Sequence, residues 1–308
     1  MAIFFGNKKI AKLYFGTNAI NAVYKGSTLV WSSVSWSDGT TMLPALDALS
    51  NHGYGVSFSP CGTYLAYAHS DSPCATVYKR DGDTFTMLPA LDALPNIGRD
   101  VSFSPCGTYL AYAHWNSPNA TVYKRDGDTF TKLPALSALP DRGQGVTFSP
   151  DGTYLAYAHR GSPNATVYKR SGDTFTKLPA LSALPSNGNG VSFSPCGTYL
   201  AYAHRDSPFA TVYKRDGDTF TMLPALDALP SHAFGVSFSP CGTYLAYAHW
   251  NLPRATVYKR SGDTFTKLPD LDALFSNGFG VSFSPDGTYL AYAHINSPFA
   301  TVYKKGVQ

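Results

Sequence analysis

The stretch VSFSPCGTYLAYAHSDSPCATVYKRDGDTFTMLP, residues 56–89, contains four short β-strand patterns separated by turn residues. In its second segment Leu65, Tyr67 and His69 alternate with alanines and another tyrosine, as expected for a strand whose two faces differ. The alanine side leaves room for a neighbouring sheet to approach closely. We predict four strands, at Val56–Ser59, Tyr64–His69, Thr76–Arg80 and Thr84–Leu88.

Two of the three connections in this stretch are typical of tight hairpins. Pro60-Cys61-Gly62 follows the first strand and Asp81-Gly82-Asp83 follows the third. Glycine supplies the positive φ that such turns require and that other residues adopt at a cost. The stretch therefore predicts a small antiparallel sheet of four strands.

The same pattern recurs six times at an interval of 45 residues. The string FSPxGTYLAYAH begins at Phe58, Phe103, Phe148, Phe193, Phe238 and Phe283. Four-stranded units at this period are typical of a β-propeller and not of a helical solenoid. The last copy stops at TVYKKGVQ before its fourth strand, whereas residues 38–49, DGTTMLPALDAL, match a fourth strand. We therefore predict an all-β fold, a closed six-bladed β-propeller over residues 34–308 whose last blade is completed by an N-terminal strand.

The composition of the chain excludes several classes of protein. Of its 308 residues only 14% are charged, and the net charge of +4 is spread without a Lys/Arg cluster, so we expect no nucleic-acid partner. No stretch approaches 18 consecutive apolar residues, so we expect no membrane insertion. The N-terminus lacks the pattern of a secretory signal peptide, and we expect a soluble protein made in the cytosol.

The repeat resembles that of a known propeller family. VTFSPDGTYLAYAH, residues 146–159, followed by ATVYKR, is similar to the repeats of WD40-type and PD40-type propellers. The likeness covers all six copies and implies the propeller fold. The chain departs from WD40 proper because no Gly-His precedes the first strand and Tyr-Lys replaces Trp-Asp, so the hydrogen-bond tetrad of that family is not expected here.

The six copies differ mainly at one end of the predicted blades. In an antiparallel blade the turns after the first and third strands lie at one end, the turn face, and the other two loops lie at the opposite end. We call the second end the variable face, because there the copies exchange aromatic residues, Arg and Asn, whereas the turn face is almost constant. Drift after duplication is the alternative explanation, but it would also have changed the turn face. The composition is that of a recognition surface.

The variable face supplies the candidate binding residues, which come from the loop before the first strand and the loop after the second strand of each blade. The predicted ligand-contacting residues are Tyr54, Arg99, Trp115, Gln144, Arg160, Asn189, Arg205, Phe209, Phe234, Trp250, Arg254, Phe279, Ile295 and Phe299. A further variable position lies in the loop before the first strand of each blade, two residues before Tyr54 or its equivalent. It holds His52, Ile97, Arg142, Asn187, His232 and Asn277.

The sequence contains no recognisable catalytic or metal-binding pattern. A histidine ends the second strand of every copy, but equivalent positions on different blades lie too far apart to share a metal ion. Cys61 occupies a turn position that holds Asp151 in another copy, so we expect free thiols and no disulfide framework. No nucleophile elbow, phosphate-binding loop or H-E-x-x-H motif occurs. We predict no catalytic residues, no metal and no cofactor, and hence a protein that is not an enzyme.

Residues 1–33 have a different rhythm, with Gly6, Gly16 and Gly26 ten residues apart between short apolar segments. This spacing predicts a small glycine-punctuated β-meander that needs a partner surface, because so short a segment buries little. KLYFGTNAINAVYKGSTLVW, residues 12–31, resembles segments of bacteriophage tail and virion proteins, and YKRDGDTFTKLP repeats resemble those of propellers that accompany phage tail modules.

This second resemblance implies a function. We predict a non-enzymatic, tail-associated phage virion protein, made in the host cytoplasm, in which residues 1–33 dock on other virion subunits, with several copies on the particle. The variable face would then recognise a glycan or protein of the host surface. Two alternatives remain open at this stage: a purely structural tail or capsid decoration component, and a cytosolic WD40-like scaffold for protein interactions.

Overall fold

The computed structural model consists of two compact units, Met1–Ala45 and Leu46–Gln308. In the first it describes the backbone of the strands within residues 3–32. In the second it describes residue 46 and residues 52–92, 94–182, 184–227, 229–271, 276–296 and 300–305. The predicted boundary between residues 33 and 34 stays a prediction.

The N-terminal unit contains six short strands arranged as three two-stranded antiparallel sheets. The pairs are β1 (Ile3–Phe5) with β2 (Lys8–Ile10), β3 (Leu13–Phe15) with β4 (Asn18–Ile20), and β5 (Ala22–Lys25) with β6 (Thr28–Ser32). Each ten-residue period of the sequence thus corresponds to one hairpin, in agreement with the predicted alternation of short strands and turns.

The second unit is a six-bladed β-propeller, as the 45-residue period predicts. Blade 1 contains β7 (Gly53–Phe58), β8 (Tyr64–His69), β9 (Ala75–Asp81) and β10 (Thr84–Met87). Blade 2 contains β11 (Gly98–Phe103), β12 (Tyr109–His114), β13 (Ala120–Asp126) and β14 (Thr129–Lys132). Blade 3 contains β15 (Gly143–Phe148), β16 (Tyr154–His159), β17 (Ala165–Ser171) and β18 (Thr174–Lys177).

The remaining blades repeat this order. Blade 4 contains β19 (Gly188–Phe193), β20 (Tyr199–His204), β21 (Ala210–Asp216) and β22 (Thr219–Met222). Blade 5 contains β23 (Ala233–Phe238), β24 (Tyr244–His249), β25 (Ala255–Ser261) and β26 (Thr264–Lys267). Blade 6 contains β27 (Gly278–Phe283), β28 (Tyr289–His294) and β29 (Ala300–Lys304). The predicted strand at residues 38–49 lies outside the described residues.

Neighbouring blades are joined by a repeated apolar interface. Between blades 1 and 2, the small residues of β8 and β9 pack against Phe103, Tyr112 and Phe130. The Tyr64 ring meets the Phe130 ring edge-on, with 5.8 Å between centroids. The three following interfaces contain equivalent clusters of buried residues. The alanines that the sequence places on one face of the second strand are what allow this close stacking.

A group of polar side chains joins the two blades at the turn-face end of the same interface. The Tyr64 hydroxyl donates to the carboxylate of Asp128 at 2.6 Å, and Lys79 Nζ donates to the other carboxylate oxygen at 2.6 Å. The arrangement recurs at three further interfaces, with Asp173, Asp218 and Asp263 in the place of Asp128. Because both ionised groups are exposed, the ion pair itself adds little stability.

The first and last blades each expose one sheet face. Val56 is 57% exposed and Val302 is 62% exposed, whereas the equivalent Val101 and Val122 are 4% and 2% exposed. An apolar groove of about 300 Å³ lies between blades 5 and 6, beside Tyr244. At the other interfaces the fourth strand of the following blade supplies a phenylalanine at that place.

No helix in the described part of the chain has the length and apolar character needed to cross a membrane.

Candidate functional site

The innermost strand of every blade has a β-bulge at its start, on the variable face. In blade 2 the pairing shifts between Gly98 and Asp100, which leaves Arg99 as the extra residue. In the other blades the extra residues are Tyr54, Gln144, Asn189, Phe234 and Phe279. A bulge turns a side chain away from the regular pleat. The side chains at this variable position are therefore oriented by the bulges.

Glycine follows the bulge in most blades because the next blade comes very close. A Cβ on Gly190 would lie 2.5 Å from the Phe234 carbonyl oxygen of the following blade. Such a contact is sterically excluded, so a side chain at Gly190 would require a shift of the backbone. The bulges of successive blades therefore stand next to each other around the inner end of the variable face.

A backbone hydrogen bond joins the two variable loops within a blade. In blade 4, the N–H of Arg205 donates to the Asn187 carbonyl at 3.1 Å, and in blade 5 the N–H of Trp250 donates to the His232 carbonyl at 3.1 Å. Blades 1 to 3 contain the same bond. This bond brings three variable side chains together in each of these blades. Two of them come from the loop before the first strand, and the third begins the loop after the second strand.

These side chains form a pocket of about 190 Å³ across blades 3, 4 and 5. It is lined by Arg160, Asn187, Asn189, Arg205, His232 and Phe234. Every lining residue comes from a variable position of the repeat. Two guanidinium groups, an imidazole and two carboxamides face a small volume beside one aromatic ring, which is the composition of a site for a polar ligand with negative charge.

A second group of cations lies beside this pocket, around the indole of Trp115. The guanidinium carbons of Arg99, Arg142 and Arg160 lie 5.5, 4.9 and 6.0 Å from its ring centroid. Arg99 also stacks over Tyr54 at 4.2 Å. Burial, together with the nearby charge of Arg160, lowers the pKa of Arg99. The three guanidinium groups give this part of the variable face a positive electrostatic potential, and the aromatic rings hold these groups in place.

Several donors in this region have no acceptor within the described protein. They are Arg99 Nε, Trp115 Nε1, Gln144 Nε2 and Arg160 Nε, all of them buried atoms. A buried donor without an acceptor is costly, so these four positions lower the stability of the fold. Of the four residues, Arg160 lines the pocket.

An aromatic cluster borders the other side of the pocket. The Phe234 and Phe279 rings are stacked with 4.5 Å between centroids, and His232 lies 5.4 Å from the Trp250 ring. Burial, and secondarily the charge of Arg205, lowers the pKa of His232 below 6.5. The imidazole is therefore neutral at pH 7 and able to accept a proton.

The structure separates the predicted site residues into three groups. Arg160, Asn189, Arg205 and Phe234 line the pocket. Trp250 and Phe279 contact the ring of the lining residue Phe234, and Trp115 lies beside the guanidinium group of Arg160. Arg99 lies against Trp115 and Tyr54 against Arg99, so neither contacts the lining directly. Gln144 contributes a buried donor without an acceptor among the described residues.

The remaining predicted residues lie elsewhere. Phe209 packs against the buried cluster between blades 4 and 5 and is no part of the pocket. It shares with Arg254 a positive φ of 68°, a loop position that in blade 2 holds the buried Asn119. Ile295 is 44% exposed in blade 6, away from the pocket lining. Phe299 lies outside the described residues.

Sequence reasoning did not predict two of the six residues that line the pocket, and it gave no role to Asp100, which follows the bulge of blade 2. Asn187 and His232 were recognised as variable but not predicted to bind, although they share a loop with Asn189 and Phe234. Asp100 replaces the glycine that follows the bulge in the other five copies, and this substitution was a signal in the sequence. Its carboxylate accepts the N–H groups of Val101 and Val146 at 2.9 Å each.

The repeated histidines are buried and hydrogen-bonded within their own blades. In blade 2, His114 is fully buried and its Nε2 lies 2.9 Å from Thr121 Oγ1. The other blades contain the same pair. Within the described ranges no three His, Cys, Asp or Glu side chains are grouped to hold a metal ion. All five cysteines are free thiols.

Comparison with known proteins links this fold to lactonases. A family model described as "Lactonase, 7-bladed beta-propeller" matches residues 129–232, which include five of the six residues of the pocket. A search of curated proteins finds no match.

Solved structures of similar fold cover most of the chain. The periplasmic gluconolactonase of Pseudomonas aeruginosa is 16% identical with a TM-score of 0.71, covering 88% of this chain and 86% of its own. A Lactobacillus plantarum protein is 18% identical with a TM-score of 0.73, covering 85% and 83%. A proposed 6-phosphogluconolactonase of Bacteroides uniformis is 16% identical with a TM-score of 0.69, covering 82% and 80%. At these identities the likeness establishes the fold alone.

These matches correct the functional predictions made from the sequence. The propeller fold implied by the resemblance is confirmed. The prediction of a tail-associated virion protein is wrong, because the matching family model is that of a lactonase and the structural neighbours include a gluconolactonase and a proposed 6-phosphogluconolactonase. The prediction of a protein that is not an enzyme is contradicted by the same matches. The virion localisation is also wrong, since the similar proteins are bacterial enzymes, one of them periplasmic. The resemblance of residues 12–31 to phage segments has no support.

Proposed function

We propose that this protein hydrolyses the lactone of a polyhydroxy acid in the pocket on the variable face. The observation that carries the proposal is the lining of that pocket, where Arg160, Arg205 and His232 converge with two asparagines. The lactonase family match to residues 129–232 supports it, because the match contains these side chains.

Each side chain has a role in ester hydrolysis that follows from its chemistry. The neutral imidazole of His232 accepts a proton from water, whose oxygen then bonds to the carbonyl carbon of the lactone. Arg160 and Arg205 stabilise the oxyanion that forms on the carbonyl oxygen. The ring ester C–O bond breaks, and the ring oxygen takes up the proton held by His232. The product is an open hydroxy acid, whose new carboxyl group releases its remaining proton to solvent and stays as a carboxylate opposite the arginines.

The asparagines and the aromatic ring select the substrate. Asn187 faces the pocket, while Asn189 donates to the Ala233 carbonyl at 2.8 Å and is thereby held in place. Carboxamide groups suit the hydroxyl groups of a sugar acid, and the Phe234 ring offers an apolar surface to the sugar C–H groups. The guanidinium groups around Trp115 favour a substrate with an additional anionic group, such as a phosphate ester.

The first test is a direct assay of lactone hydrolysis. Purified protein is incubated with a panel of γ- and δ-lactones of sugar acids, with and without a phosphate group, and acid release is followed by pH-stat titration. We expect hydrolysis above the uncatalysed rate. For His232→Asn we expect kcat/KM to fall by about 10²-fold or more, the usual contribution of a general base.

The matched control is His52→Asn, at the same repeat position in blade 1 and outside the pocket lining, which we expect to leave kcat/KM unchanged. The proposal is overturned if the wild-type protein hydrolyses none of the lactones, or if His232→Asn and Arg205→Gln both retain full activity.

A further inference from the structure

A group of aromatic side chains extends from the pocket across blades 5 and 6. We call His232, Phe234, Trp250 and Phe279 the aromatic shelf. The Phe234 and Phe279 rings are stacked, with 4.5 Å between centroids and 23° between planes. The centroid of the Trp250 ring lies 6.0 Å from that of Phe234 and 6.2 Å from that of Phe279. Phe279 is 42% exposed, so the shelf has a free surface on the variable face.

The β-bulges hold the two phenylalanines of the shelf side by side. Phe234 and Phe279 are the extra residues of the bulges in blades 5 and 6. Gly235 follows the first of these bulges, and a Cβ on it would lie 2.8 Å from the Phe279 carbonyl oxygen. The two strand ends are therefore in close contact, which keeps the two rings stacked. A surface that is already ordered binds a ligand with a smaller loss of conformational entropy.

The shelf is continuous with the pocket. His232 and Phe234 belong to the shelf and also line the pocket. The centroid of the His232 ring lies 5.3 Å from that of Phe234 and 5.4 Å from that of Trp250. A ligand bound beside His232 therefore meets the shelf where it extends towards blade 6.

The sizes of the pocket and the shelf limit the ligands that can use both. The pocket of about 190 Å³ is smaller than the roughly 300–1,000 Å³ of sites for drug-sized ligands, so it holds one small ring. An aromatic side chain buries about 150–250 Å² in full, so Phe279 at 42% exposure offers on the order of 100 Å². This area is far below the about 800 Å² that each partner contributes to a stable protein interface. It corresponds to one further ring of a small ligand.

We propose that the lactone bound in the pocket carries a second sugar ring, and that this ring stacks on Phe279. One face of a pyranose presents C–H groups, which bury apolar surface against an aromatic ring while the hydroxyl groups stay in water. Oxidation of the reducing end of a disaccharide is the class of reaction that supplies such a lactone. This inference rests on the proposed lactone hydrolysis for the nature of the ring in the pocket, whereas binding alone tests the shelf.

Calorimetric titration with the stable product acids tests the shelf without catalysis. Gluconate is the probe for the pocket alone, and cellobionate and gentiobionate, which carry glucose on O4 and O6 of gluconate, are the probes for pocket and shelf together. We expect at least one disaccharide acid to bind about tenfold more tightly than gluconate, which corresponds to the burial of about two methylene groups. Phe279→Ala should remove this advantage without changing the affinity for gluconate, and Phe279→Trp should retain it.

The matched control is Tyr54→Ala, at the same bulge position in blade 1 and outside the pocket lining. We expect this variant to keep the preference for the disaccharide acid. The proposal is overturned if gluconate binds as tightly as both disaccharide acids, if none of the three acids binds, or if Phe279→Ala and Tyr54→Ala weaken the disaccharide acids equally.

Lactone assays with the same variants distinguish the shelf from the lactonase activity. If the disaccharide acids bind through Phe279 but no lactone is hydrolysed, the shelf is supported and the proposed function is wrong. If gluconolactone and the two disaccharide lactones are hydrolysed with equal kcat/KM and Phe279→Ala changes none of these values, the proposed function is supported and the shelf has no role.

Discussion

At the scale of single residues, the blades of this propeller are nearly identical and differ at only a few positions. Asp100 is the clearest case, because the other blades have glycine there. Its carboxylate bridges two backbone N–H groups, one of its own blade and one of the next. Burial outweighs these bonds and raises the pKa of Asp100 to about 6.

The raised pKa predicts a specific pH dependence. The folded state holds the proton on Asp100 up to about pH 6, whereas the unfolded chain loses it near pH 3.8. The contribution of Asp100 to stability is therefore largest at low pH and is lost as the pH rises from about 4 to 6, by at most about 1.4 kcal/mol per pH unit.

Replacement of Asp100 by glycine, the residue of the other blades, should remove this dependence. We expect the free energy of unfolding of the wild type, relative to Asp100→Gly, to increase as the pH falls from 7 to 4. Urea titrations at several pH values measure it. A constant difference between the two proteins across this range would contradict the assigned pKa, whatever the fixed cost of the lost hydrogen bonds.

At the scale of elements, blades 2 to 5 each contain two buried tyrosines, of which one has a hydrogen-bonded hydroxyl and the other has none among the described residues. The rings of Tyr112 on β12 and Tyr123 on β13 meet edge-on at 5.9 Å, and both are fully buried. The Tyr123 hydroxyl donates to the Asp92 carbonyl of the preceding blade. The Tyr112 hydroxyl is buried without a hydrogen-bond partner among the described residues.

This contrast predicts opposite effects for the same substitution. Tyr123→Phe removes a bond between blades and leaves a carbonyl without a donor, so we expect a loss of about 1–2 kcal/mol in the free energy of unfolding. Tyr112→Phe removes an unpaired hydroxyl, so we expect no loss or a small gain. Chemical denaturation of both variants measures the difference, and equal losses in the two would show that the Tyr112 hydroxyl is bonded.

The sequence predicts these elements well and the site poorly, for physical reasons. Alternation in Tyr64–His69 and the glycine turns at Gly62 and Gly82 are local properties, and the strands and positive φ angles follow them. The bulge that aims Asn189 depends on pairing with another strand. The meeting of Arg160 with His232 depends on three blades being stacked in order, and no local pattern encodes that contact.

At the scale of the whole molecule, four buried histidines together make the free energy of unfolding depend on pH. The pKa values of His114, His159, His204 and His249 are lowered to about 4, chiefly by burial. Folded histidines therefore stay neutral while those of the unfolded chain take up protons below about pH 6.5. Stability is fully present above that pH and is lost as the pH falls from 6.5 towards 4.

We expect cooperative acid unfolding in this window, with a slope of up to about 5 kcal/mol per pH unit from the four groups together. Thermal melts between pH 7 and 4 measure it. His114→Gln should lower the free energy of unfolding at pH 7 and should reduce its slope with pH by the contribution of one histidine. The same change at the exposed His52 should alter neither quantity. A melting temperature that is constant down to pH 4 would contradict the buried, neutral state of these side chains.

The repetition of one interface between successive blades has a consequence for how the chain reaches its fold. The strand TVYKR of each of the first five blades finds the same GDTFT partner in all five copies, and an alanine-lined face accepts the aromatic residues of any other blade. Side-chain chemistry therefore does not distinguish adjacent pairing from pairing with a blade 45 residues further along. Only the short connections between strands favour the neighbour, through the entropy of closing a larger loop. A chain emerging from the ribosome gains order by completing each blade before its duplicate appears, whereas a chain diluted from denaturant meets all six at once and is exposed to swapped assemblies.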